Sequence, residues 1–375
     1  MRKVCYVSGT RADFGLMRRT LQLARDSKAL DVSVCVTGMH LSPPFGNTVQ
    51  EIEASGLRIC ARLPVPLDEG SGAQMARATA KAMSGMTDAF ETGRPQMVVV
   101  LGDRGEMLAG AYAAVHLGIP VVHVHGGERS GTVDELVRHA ISKLAHYHFV
   151  ATDGARERLI RMGEKPEHVF VTGAPGLDDL TEKRIARNEL CAAQGLDSKR
   201  PIALVIFHPV LQEAQQAGAQ TTELMEGVLA AGCQALCFAP NSDAGNPAVR
   251  SALERYAGRA GVKLVTHMAR KDYISWMAAA DAMVGNSSSG IIEAASLGLP
   301  VVNVGSRQNA RERSANVTDV LPERKAIERA TAQAIKGGKR SYQNVYGDGR
   351  AAPRIVELLR TLPLDASLLA KTNAY

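Results

Sequence analysis

Charged side chains follow two apolar β-type runs of this chain at the points where the runs end. Asp103 follows Val98–Leu101 after a single glycine, and His125 and Glu128 come after Val121–Val124. Ligands bind at the carboxyl ends of strands in a parallel α/β sheet, so these side chains should meet at one edge. Carboxylates and an imidazole held together there are suited to general acid–base catalysis. The sequence therefore predicts an active site at this edge.

A further carboxylate, Asp134, stands at the start of a predicted amphipathic helix, where the helix dipole favours a negative charge. Acid–base work on an unactivated C–H bond needs carboxylates whose pKa values are held apart, and Asp103 and Asp134 are the candidates. The alternative for Asp134 is an ion pair with Arg138, one turn further along. The spacing of one helix face predicts that Val137, Ala140, Ile141, Leu144 and Ala145 are its apolar positions.

A glycine-bearing turn, Ser8–Gly15, follows the first apolar run and leads into a helical pattern. Such a turn exposes backbone N–H groups to an anion, and Arg11 can form two hydrogen bonds with a phosphate. Only Gly9 and Gly15 are present, so the turn lacks the G-x-G-x-x-G pattern of dinucleotide-binding proteins. The turn is therefore predicted to bind phosphate, the alternative being an ordinary strand-to-helix turn with a surface arginine.

A serine-rich turn, Gly285–Gly290, precedes a predicted helix over 291–297. Its hydroxyls, including those of Ser287 and Ser288, and the helix N-terminal amides predict a diphosphate site. Glu293 is placed to accept hydrogen bonds from ribose hydroxyls, or else to cap the helix. Arg307 follows the next strand and is predicted to reach the same site.

Histidines are concentrated between 116 and 148, and His123 and His125 should share one face of a strand. This spacing raises the question of a metal site, but no HExxH or cysteine–histidine set accompanies it, so no metal is predicted. His208 ends another strand and should face the predicted cleft.

The elements that position these residues alternate strand with helix along the whole chain, which predicts an α/β fold. We expect two doubly wound, Rossmann-like domains facing a central cleft, over 1–180 and 181–350, with a polar junction at 180–200. The C-terminal helix, 351–375, should join the first domain. The predicted strands are Val4–Val7, Val32–Val36, Val98–Leu101, Val121–Val124, Phe149–Ala151, Ile202–Phe207, Ala235–Phe238, Lys263–Thr266, Ala282–Val284 and Val301–Val304.

The composition and charge of the chain indicate which class of ligand it binds. The net charge is +6 and the isoelectric point about 9.0, but the basic residues are scattered, which favours an anionic metabolite over nucleic acid. The chain has 4% aromatic residues and one tryptophan, which disfavours stacking on single strands. No signal peptide or membrane helix is visible, and the six cysteines form no CxxC pair, so a reduced cytoplasmic enzyme is expected.

Several motifs, in chain order, resemble the hydrolysing UDP-N-acetylglucosamine 2-epimerases, including those of bacterial sialic and legionaminic acid synthesis. They are GDR at 102–104, HGGERSGTVDELVRHAISKLAHYH at 125–148, FHP at 207–209, GNSS at 285–288 and GSRQ at 305–308. The resemblance extends from GTR at 9–11 to YGDG at 346–349. It implies a GT-B-like fold, a UDP-sugar substrate, no cofactor and a homodimer.

In this family a base removes the C2 proton while UDP leaves C1, giving a 2-acetamidoglucal. Water then adds at C1 and C2 is reprotonated from the other face. By motif match, the resemblance places Asp103 and Asp134 on catalytic carboxylates and His40 on a sugar-side position. Arg104 belongs to the first motif and is a substrate-binding candidate. The UDP-binding positions fall on Arg11, His208, Ser287, Ser288, Glu293 and Arg307.

One departure concerns the acid–base group. This chain has His125 within HVHGGE, where the animal-type branch of the family has a catalytic glutamate within HIEGGE. Either His125 takes that role or the nearby Glu128 does, and the flexible Gly126-Gly127 turn favours Glu128.

The first substrate predicted is UDP-N-acetylglucosamine, hydrolysed to N-acetylmannosamine and UDP. The alternative is the same reaction on UDP-2,4-diacetamido-2,4,6-trideoxyglucose, distinguished by contacts with the sugar C4 and C6 groups, which segment 41–47 is predicted to make. Outside this reaction, the chain could be a GT-B glycosyltransferase or an inactive UDP-sugar-binding protein.

Overall fold

The first of two parallel sheets is built from the N-terminal half of the chain. The computed structural model of the protein describes residues 1–375. The strands of this sheet are β1 (Arg2–Ser8), β2 (Leu30–Thr37), β3 (Arg58–Leu63), β4 (Met97–Leu101), β5 (Val121–Val124), β6 (Tyr147–Val150) and β7 (Val169–Val171). Their spatial order is β3-β2-β1-β4-β5-β6-β7 and every pair is parallel. Buried apolar clusters cover both faces, as a parallel sheet requires.

The second sheet repeats this arrangement with six strands. They are β8 (Ile202–Ile206), β9 (Gln234–Phe238), β10 (Val262–Val265), β11 (Ala282–Gly285), β12 (Val301–Val304) and β13 (Val317–Val320). The order is β10-β9-β8-β11-β12-β13, again all parallel. The predicted α/β fold with two doubly wound sheets is confirmed.

Helices connect the strands, and no helix is both long enough and apolar enough to cross a membrane. Their bounds are α1 (Arg11–Asp26), α2 (Val49–Ala54), α3 (Gly72–Gly93), α4 (Gly105–His116), α5 (Val133–Leu144), α6 (Asp153–Arg161), α7 (Arg187–Gln194), α8 (Ala217–Ala230), α9 (Asn246–Glu254), α10 (Arg270–Ala279), α11 (Ser288–Ile292), α12 (Arg324–Gly337), α13 (Ala351–Thr361) and α14 (Ala366–Leu369). Near the C-terminus, α13 packs against α1, beside the first sheet. The domain bounds at 180 and 350 remain predictions.

The position of the candidate site follows from the strand order. In each sheet the order reverses between two central strands, β1 and β4 in the first, β8 and β11 in the second. Ligands bind outside the carboxyl ends of strands at such a reversal. Residues after these four strands, beginning at 9, 102, 207 and 286, include most of the motifs singled out above.

Three strands were not predicted from the sequence: β3, β7 and β13. All three lie at sheet edges, where one side faces solvent. Polar residues interrupt the apolar run in β3 and β13, and β7 has only three residues. The segment 180–200, interpreted as a polar junction, contains helix α7. The helix predicted over 291–297 begins earlier, at Ser288, and breaks at Glu293 before a short 3-10 turn.

Candidate active site between the two sheets

The turn after β1 is held by its own carboxylate. Asp13 is buried and accepts hydrogen bonds from the backbone N–H groups of Thr10 (2.6 Å) and Gly9 (3.2 Å). These two amides are therefore already bonded within the turn, while binding of an anion by the turn stays a prediction. The Arg11 side chain is what the turn presents, and its Nη1 lies 3.0 Å from Nδ1 of His267, a residue beyond β10.

His40, expected on the sugar side, lies beneath this turn and is fully buried. Its Nε2 lies 2.9 Å from Ser8 Oγ, and its Nδ1 lies 2.8 Å from Thr48 Oγ1. Burial lowers the pKa of the ring, although Asp13 opposes the shift. With both ring nitrogens bonded to the protein, His40 supports the turn in this conformation.

On the second sheet, the ends of β8 and β11 are joined by Asn286. Its Oδ1 accepts from the backbone N–H of His208 (2.7 Å) and its Nδ2 donates to the backbone carbonyl of the same residue (2.8 Å). Arg307 donates to the Asn286 carbonyl (3.2 Å), while the partly exposed Ser287 caps α11, which begins at Ser288. The structure therefore brings these predicted UDP-binding residues together.

The His208 ring is held in the neutral form. Burial and the Arg307 charge lower its pKa to about 3. Its Nδ1 accepts a hydrogen bond from the Asn241 backbone N–H (3.3 Å), so Nε2 carries the proton and is a donor. A neutral donor beside an arginine is suited to an anionic ligand.

Glu293 has a different environment from the one predicted. Its carboxylate is buried in an ion pair with Arg270, whose Nη2 also donates to the Gly176 carbonyl (2.8 Å). It stands between α11 and a short 3-10 turn, and its side chain forms no capping hydrogen bond there, so the alternative role as a helix cap is not seen. Contact between Glu293 and a ribose stays a prediction.

Asp103 forms an ion pair with Arg138, one of the most buried side chains of the protein at 1% exposure. Arg138 also donates to the Glu128 carbonyl (3.0 Å). Burial and the nearby Arg311 charge hold the pKa of Arg138 well below its usual value. The alternative considered for Asp134, an ion pair with Arg138, is wrong, because Arg138 points inward to Asp103. The expected apolar position Ala140 is exposed instead.

His125 and Glu128 contact each other directly. Nδ1 of His125 donates to Oε1 of Glu128 (2.5 Å), and the other carboxylate oxygen pairs with Arg311. Burial alone would raise the pKa of Glu128, but Arg311 and His125 lower it to about 2. His125 has φ of +62°, a left-handed conformation that is strained for a residue with a side chain. The turn thus orients the His125 ring by holding the backbone of this residue in a strained conformation.

Ionic contacts close the cleft between the sheets. From the first sheet, Arg104 reaches Asp243 (3.2 Å) and Ser242 (3.2 Å) beyond β9. From the second, Arg307 lies 3.7 Å from Asp134. Burial tends to lower the pKa of Arg104, but Glu106 and Asp243 raise it overall. The acidic positions of one sheet are therefore paired with arginines of the other.

Sequence reasoning missed Arg311, which contacts Glu128 and lies 3.8 Å from Asp103. The signal was the close spacing of Arg307, Arg311 and Arg313 after β12. No group of three or more potential ligands is arranged to hold a metal ion. His123 donates to the Gly102 carbonyl (2.7 Å) instead of pairing with His125.

Two facing Rossmann-like sheets that bring arginines, hydroxyls and carboxylates into one cleft define a GT-B-like protein, and this cleft is suited to an anionic nucleotide. The family model for UDP-N-acetylglucosamine 2-epimerase matches residues 22–360. The chain belongs to the UDP-N-acetylglucosamine 2-epimerase family, as the motifs indicated.

Relatives of known name support this membership. The chain is 50% identical to the UDP-N,N'-diacetylbacillosamine 2-epimerase (hydrolyzing) of Legionella pneumophila over all of both chains. It is 33% identical to the GDP/UDP-N,N'-diacetylbacillosamine 2-epimerase (hydrolyzing) of Campylobacter jejuni, covering 85% of this chain and 84% of that one. The fold matches the UDP-GlcNAc 2-epimerase of Neisseria meningitidis bound to UDP-GlcNAc, with a TM-score of 0.80, 20% identity, and coverage of 95% and 99%.

Proposed function

We propose that the protein is a hydrolysing 2-epimerase of UDP-N,N'-diacetylbacillosamine, which is UDP-2,4-diacetamido-2,4,6-trideoxyglucose. The observation that carries the proposal is the 50% identity, over the full length, to a protein named for that reaction. This reverses the order of the two substrates considered from the sequence, in which UDP-N-acetylglucosamine came first. The products are UDP and 2,4-diacetamido-2,4,6-trideoxymannose.

The acid–base role is assigned to His125, with Glu128 as the residue that orients it. A carboxyl group whose pKa is about 2 is a weak base, and the Glu128 oxygens are bonded to His125 and Arg311. Because Nδ1 of His125 donates to that carboxylate, Nε2 is the nitrogen that exchanges a proton. It forms no hydrogen bond with the protein. The preference for Glu128 drawn from the turn sequence is therefore replaced.

Elimination and hydration require groups on both sides of the sugar ring. Asp103 and Asp134 are the carboxylates of the first sheet that border the cleft, and we assign them to proton transfer at C2 and to the water that adds at C1. In each cycle a base takes the C2 proton, the electron pair of the C2–H bond forms the C1–C2 double bond, and UDP leaves C1 with the electron pair of the C1–O bond. The hydroxyl of a water molecule then adds at C1, and C2 is reprotonated on the opposite face. No external oxidant or reductant is needed.

The diphosphate gains negative charge as the C1–O bond breaks. Arg307, His208 and the hydroxyls of Ser287 and Ser288 are donors at the carboxyl end of the second sheet. Donors that are in place before the reaction stabilise such charge without reorganisation. Arg11 approaches from the first sheet, so closure of the cleft completes the diphosphate site.

Product analysis in D2O tests the proposal. The purified protein is incubated with UDP-N,N'-diacetylbacillosamine or with UDP-N-acetylglucosamine, and products are followed by proton NMR. We expect UDP and a free 2-epimerised sugar that carries deuterium at C2, with kcat/KM higher for the diacetamido substrate. The Asp103→Asn variant should lose turnover.

Other outcomes would contradict the proposal in distinct ways. An intact UDP-sugar epimer as the sole product would mean that the sugar is not hydrolysed. Transfer of the sugar to an acceptor with protium retained at C2 would indicate a glycosyltransferase. Binding of UDP-sugar without any turnover would indicate a binding protein.

A further inference from the structure

Three cysteines from neighbouring strands meet on one face of the first sheet. Cys5 lies on β1, Cys35 on β2 and Cys60 on the edge strand β3. Cys5 and Cys35 are buried, whereas Cys60 is the one exposed cysteine of the protein. The sulfur atoms of Cys5 and Cys60 lie 3.7 Å apart. We refer to these three residues as the thiol cluster.

A β-bulge in β3 turns the Cys60 side chain toward the other two cysteines. The pairing of β3 with β2 shifts by one residue just before Cys35, which leaves Cys60 as the extra residue. Ile59 and Ala61, on either side of it, pack against different apolar clusters, although residues two apart in a regular strand share a face. Ala61 shares its cluster with Cys5 and Cys35. The bulge therefore places the Cys60 sulfur on the face where the other two thiols are buried.

The spacing of the strands decides which thiol can form a disulfide with Cys60. Neighbouring strands lie about 4.8 Å apart, and disulfides join Cα atoms that are about 4.4 to 6.8 Å apart. Cys35 is on the neighbouring strand beside the bulge, so its position suits a disulfide. Cys5 is two strands away, roughly 9.6 Å, so a disulfide between Cys5 and Cys60 requires the backbone to move. Cys35 is therefore the partner, even though the Cys5 sulfur also contacts Cys60.

The surrounding groups make Cys60 the nucleophile of the thiol cluster. Hydrogen bonds from the Cys35 and Cys5 thiols lower the pKa of Cys60, and the Arg58 charge adds to this shift, although burial opposes it. The hydrogen bond with Cys60 and burial raise the pKa values of Cys35 and Cys5, so these two thiols keep their protons. An accessible thiolate is the form of cysteine that reacts with peroxides.

We propose that Cys60 is a peroxide-reactive thiol and that its oxidation ends in a reversible disulfide with Cys35. The Cys60 thiolate attacks one oxygen of hydrogen peroxide, so that an S–O bond forms, the O–O bond breaks, and hydroxide leaves with the electron pair of that bond. The Cys35 thiol then attacks the Cys60 sulfur, so that an S–S bond forms, the S–O bond breaks, and water leaves with the Cys35 proton. Two thiol sulfurs are oxidised and one peroxide is reduced. This modification site is independent of the proposed function.

The disulfide joins an edge strand to a strand that leads to the candidate site. β3 pairs only with β2. The carboxyl end of β2 leads into the turn 38–41, which carries His40. His40 in turn contacts Ser8, 2.9 Å away, at the start of the Ser8–Gly15 turn. Oxidation of Cys60 therefore fixes β3 to an element that supports the candidate site.

Peptide mapping tests the proposal, because trypsin separates the three cysteines. Cys5 falls in peptide 4–11, Cys35 in peptide 29–58 and Cys60 in peptide 59–62. The reduced protein is treated with hydrogen peroxide, its remaining thiols are blocked with iodoacetamide in denaturant, and the non-reduced digest is analysed by mass spectrometry. We expect the protein to lose one pair of its six thiols, with peptides 29–58 and 59–62 joined until dithiothreitol is added.

Four single variants separate the roles of the cysteines. Cys60→Ser should form no disulfide. In Cys35→Ser the partner thiol is missing, so Cys60 should accumulate as a sulfenic acid that dimedone traps. Cys5→Ser should still join peptides 29–58 and 59–62. Cys233→Ser is the matched control, because Cys233 is a buried cysteine in the other half of the chain, and it should behave as the wild type does.

Three results would overturn the proposal, and mapping of the wild-type protein alone can give each of them. A link between peptides 4–11 and 59–62 would mean that Cys5 is the partner. A disulfide-linked dimer on a non-reducing gel would mean that Cys60 reacts with a second copy of the chain. Cys60 that stays reduced, or that proceeds to sulfinic acid without any disulfide, would mean that the thiol cluster is not a reversible peroxide site.

Discussion

Replacing Glu128 by glutamine removes the negative charge that links the His125 ring to Arg311. Glu128 is 3% exposed, and its two oxygens are bonded to these two residues. Glutamine has nearly the same shape and is always neutral, so the variant resembles the protonated form of the wild-type residue at every pH. The comparison therefore isolates the charge.

The size of the effect follows from the pKa of Glu128, which is about 2 in the folded protein. The ordinary value for a glutamate is about 4.3, and each pKa unit corresponds to about 1.4 kcal/mol. The ionised group thus contributes roughly 3 kcal/mol to the free energy of unfolding at pH 7. Because the folded pKa is depressed, this contribution is complete above about pH 4.3 and disappears as the pH falls through about 2.

Urea denaturation of the wild type and of Glu128→Gln between pH 7 and pH 3 measures this directly. We expect the variant to be less stable by roughly 3 kcal/mol at pH 7, and the difference to shrink below about pH 4. Glu157→Gln is the matched control, because Glu157 is exposed and forms no ion pair, and it should leave stability unchanged. Equal stability at pH 7, or a difference that persists undiminished in acid, would refute this reasoning.

Three further predictions concern other contacts. Gly285→Ala should lower the free energy of unfolding by at least about 3 kcal/mol, because φ is +137° and a Cβ would lie 2.0 Å from the Ile206 carbonyl oxygen. The control is Gly258→Ala, because nothing lies within 4 Å of a Cβ at that position. If calorimetry shows no larger loss of stability for Gly285→Ala than for this control, the prediction is wrong. Arg104→Gln removes the ionic contact with Asp243, so small-angle scattering should give a larger radius of gyration without ligand, and an unchanged radius would show that this contact does not hold the cleft closed. Lys371→Met removes hydrogen bonds to three backbone carbonyls at the end of α5, among them that of Ala145 (2.6 Å). The free energy of unfolding should fall by about 2 kcal/mol, and amide hydrogen exchange at the end of α5 should become faster. Unchanged exchange would show that Lys371 does not stabilise the end of this helix.

The central strands of both sheets could be predicted from the sequence because a buried parallel strand is a continuous apolar run. The edge strand β10 was predicted as well, but β3, β7 and β13 were not, since β3 contains two arginines and β7 has only three residues. Likewise, the break at Glu293 has no local signal, because its carboxylate is drawn to Arg270, 23 residues away in the chain.

Within the candidate site, the positions of the motifs in the sequence predicted which residues come together, but they did not predict which side chains pair. His208 follows β8 and Ser287 follows β11, the two strands between which the strand order of the second sheet reverses. Arg307 follows β12, which lies next to β11, so the three residues come together at one edge of the sheet. The Ser8–Gly15 turn was expected to offer free amides, but Asp13, a residue of the turn itself, already occupies two of them. Asp13 is visible in the sequence, but the direction in which its carboxylate points is decided only in the folded turn.

The sequence by itself determined the alternation of strands and helices, the family and the strand ends at which the polar residues stand. These features are local, because periodicity and turn chemistry involve neighbours along the chain. Only the tertiary structure decided which charges meet: Arg138 with Asp103 across 35 residues, and Arg311 with Glu128 across 183. Each such pair forms where folding brings distant strand ends to one cleft, and burial there makes the partners necessary. Because Glu128 is paired with Arg311 and accepts a hydrogen bond from His125, His125 is the proposed acid–base group.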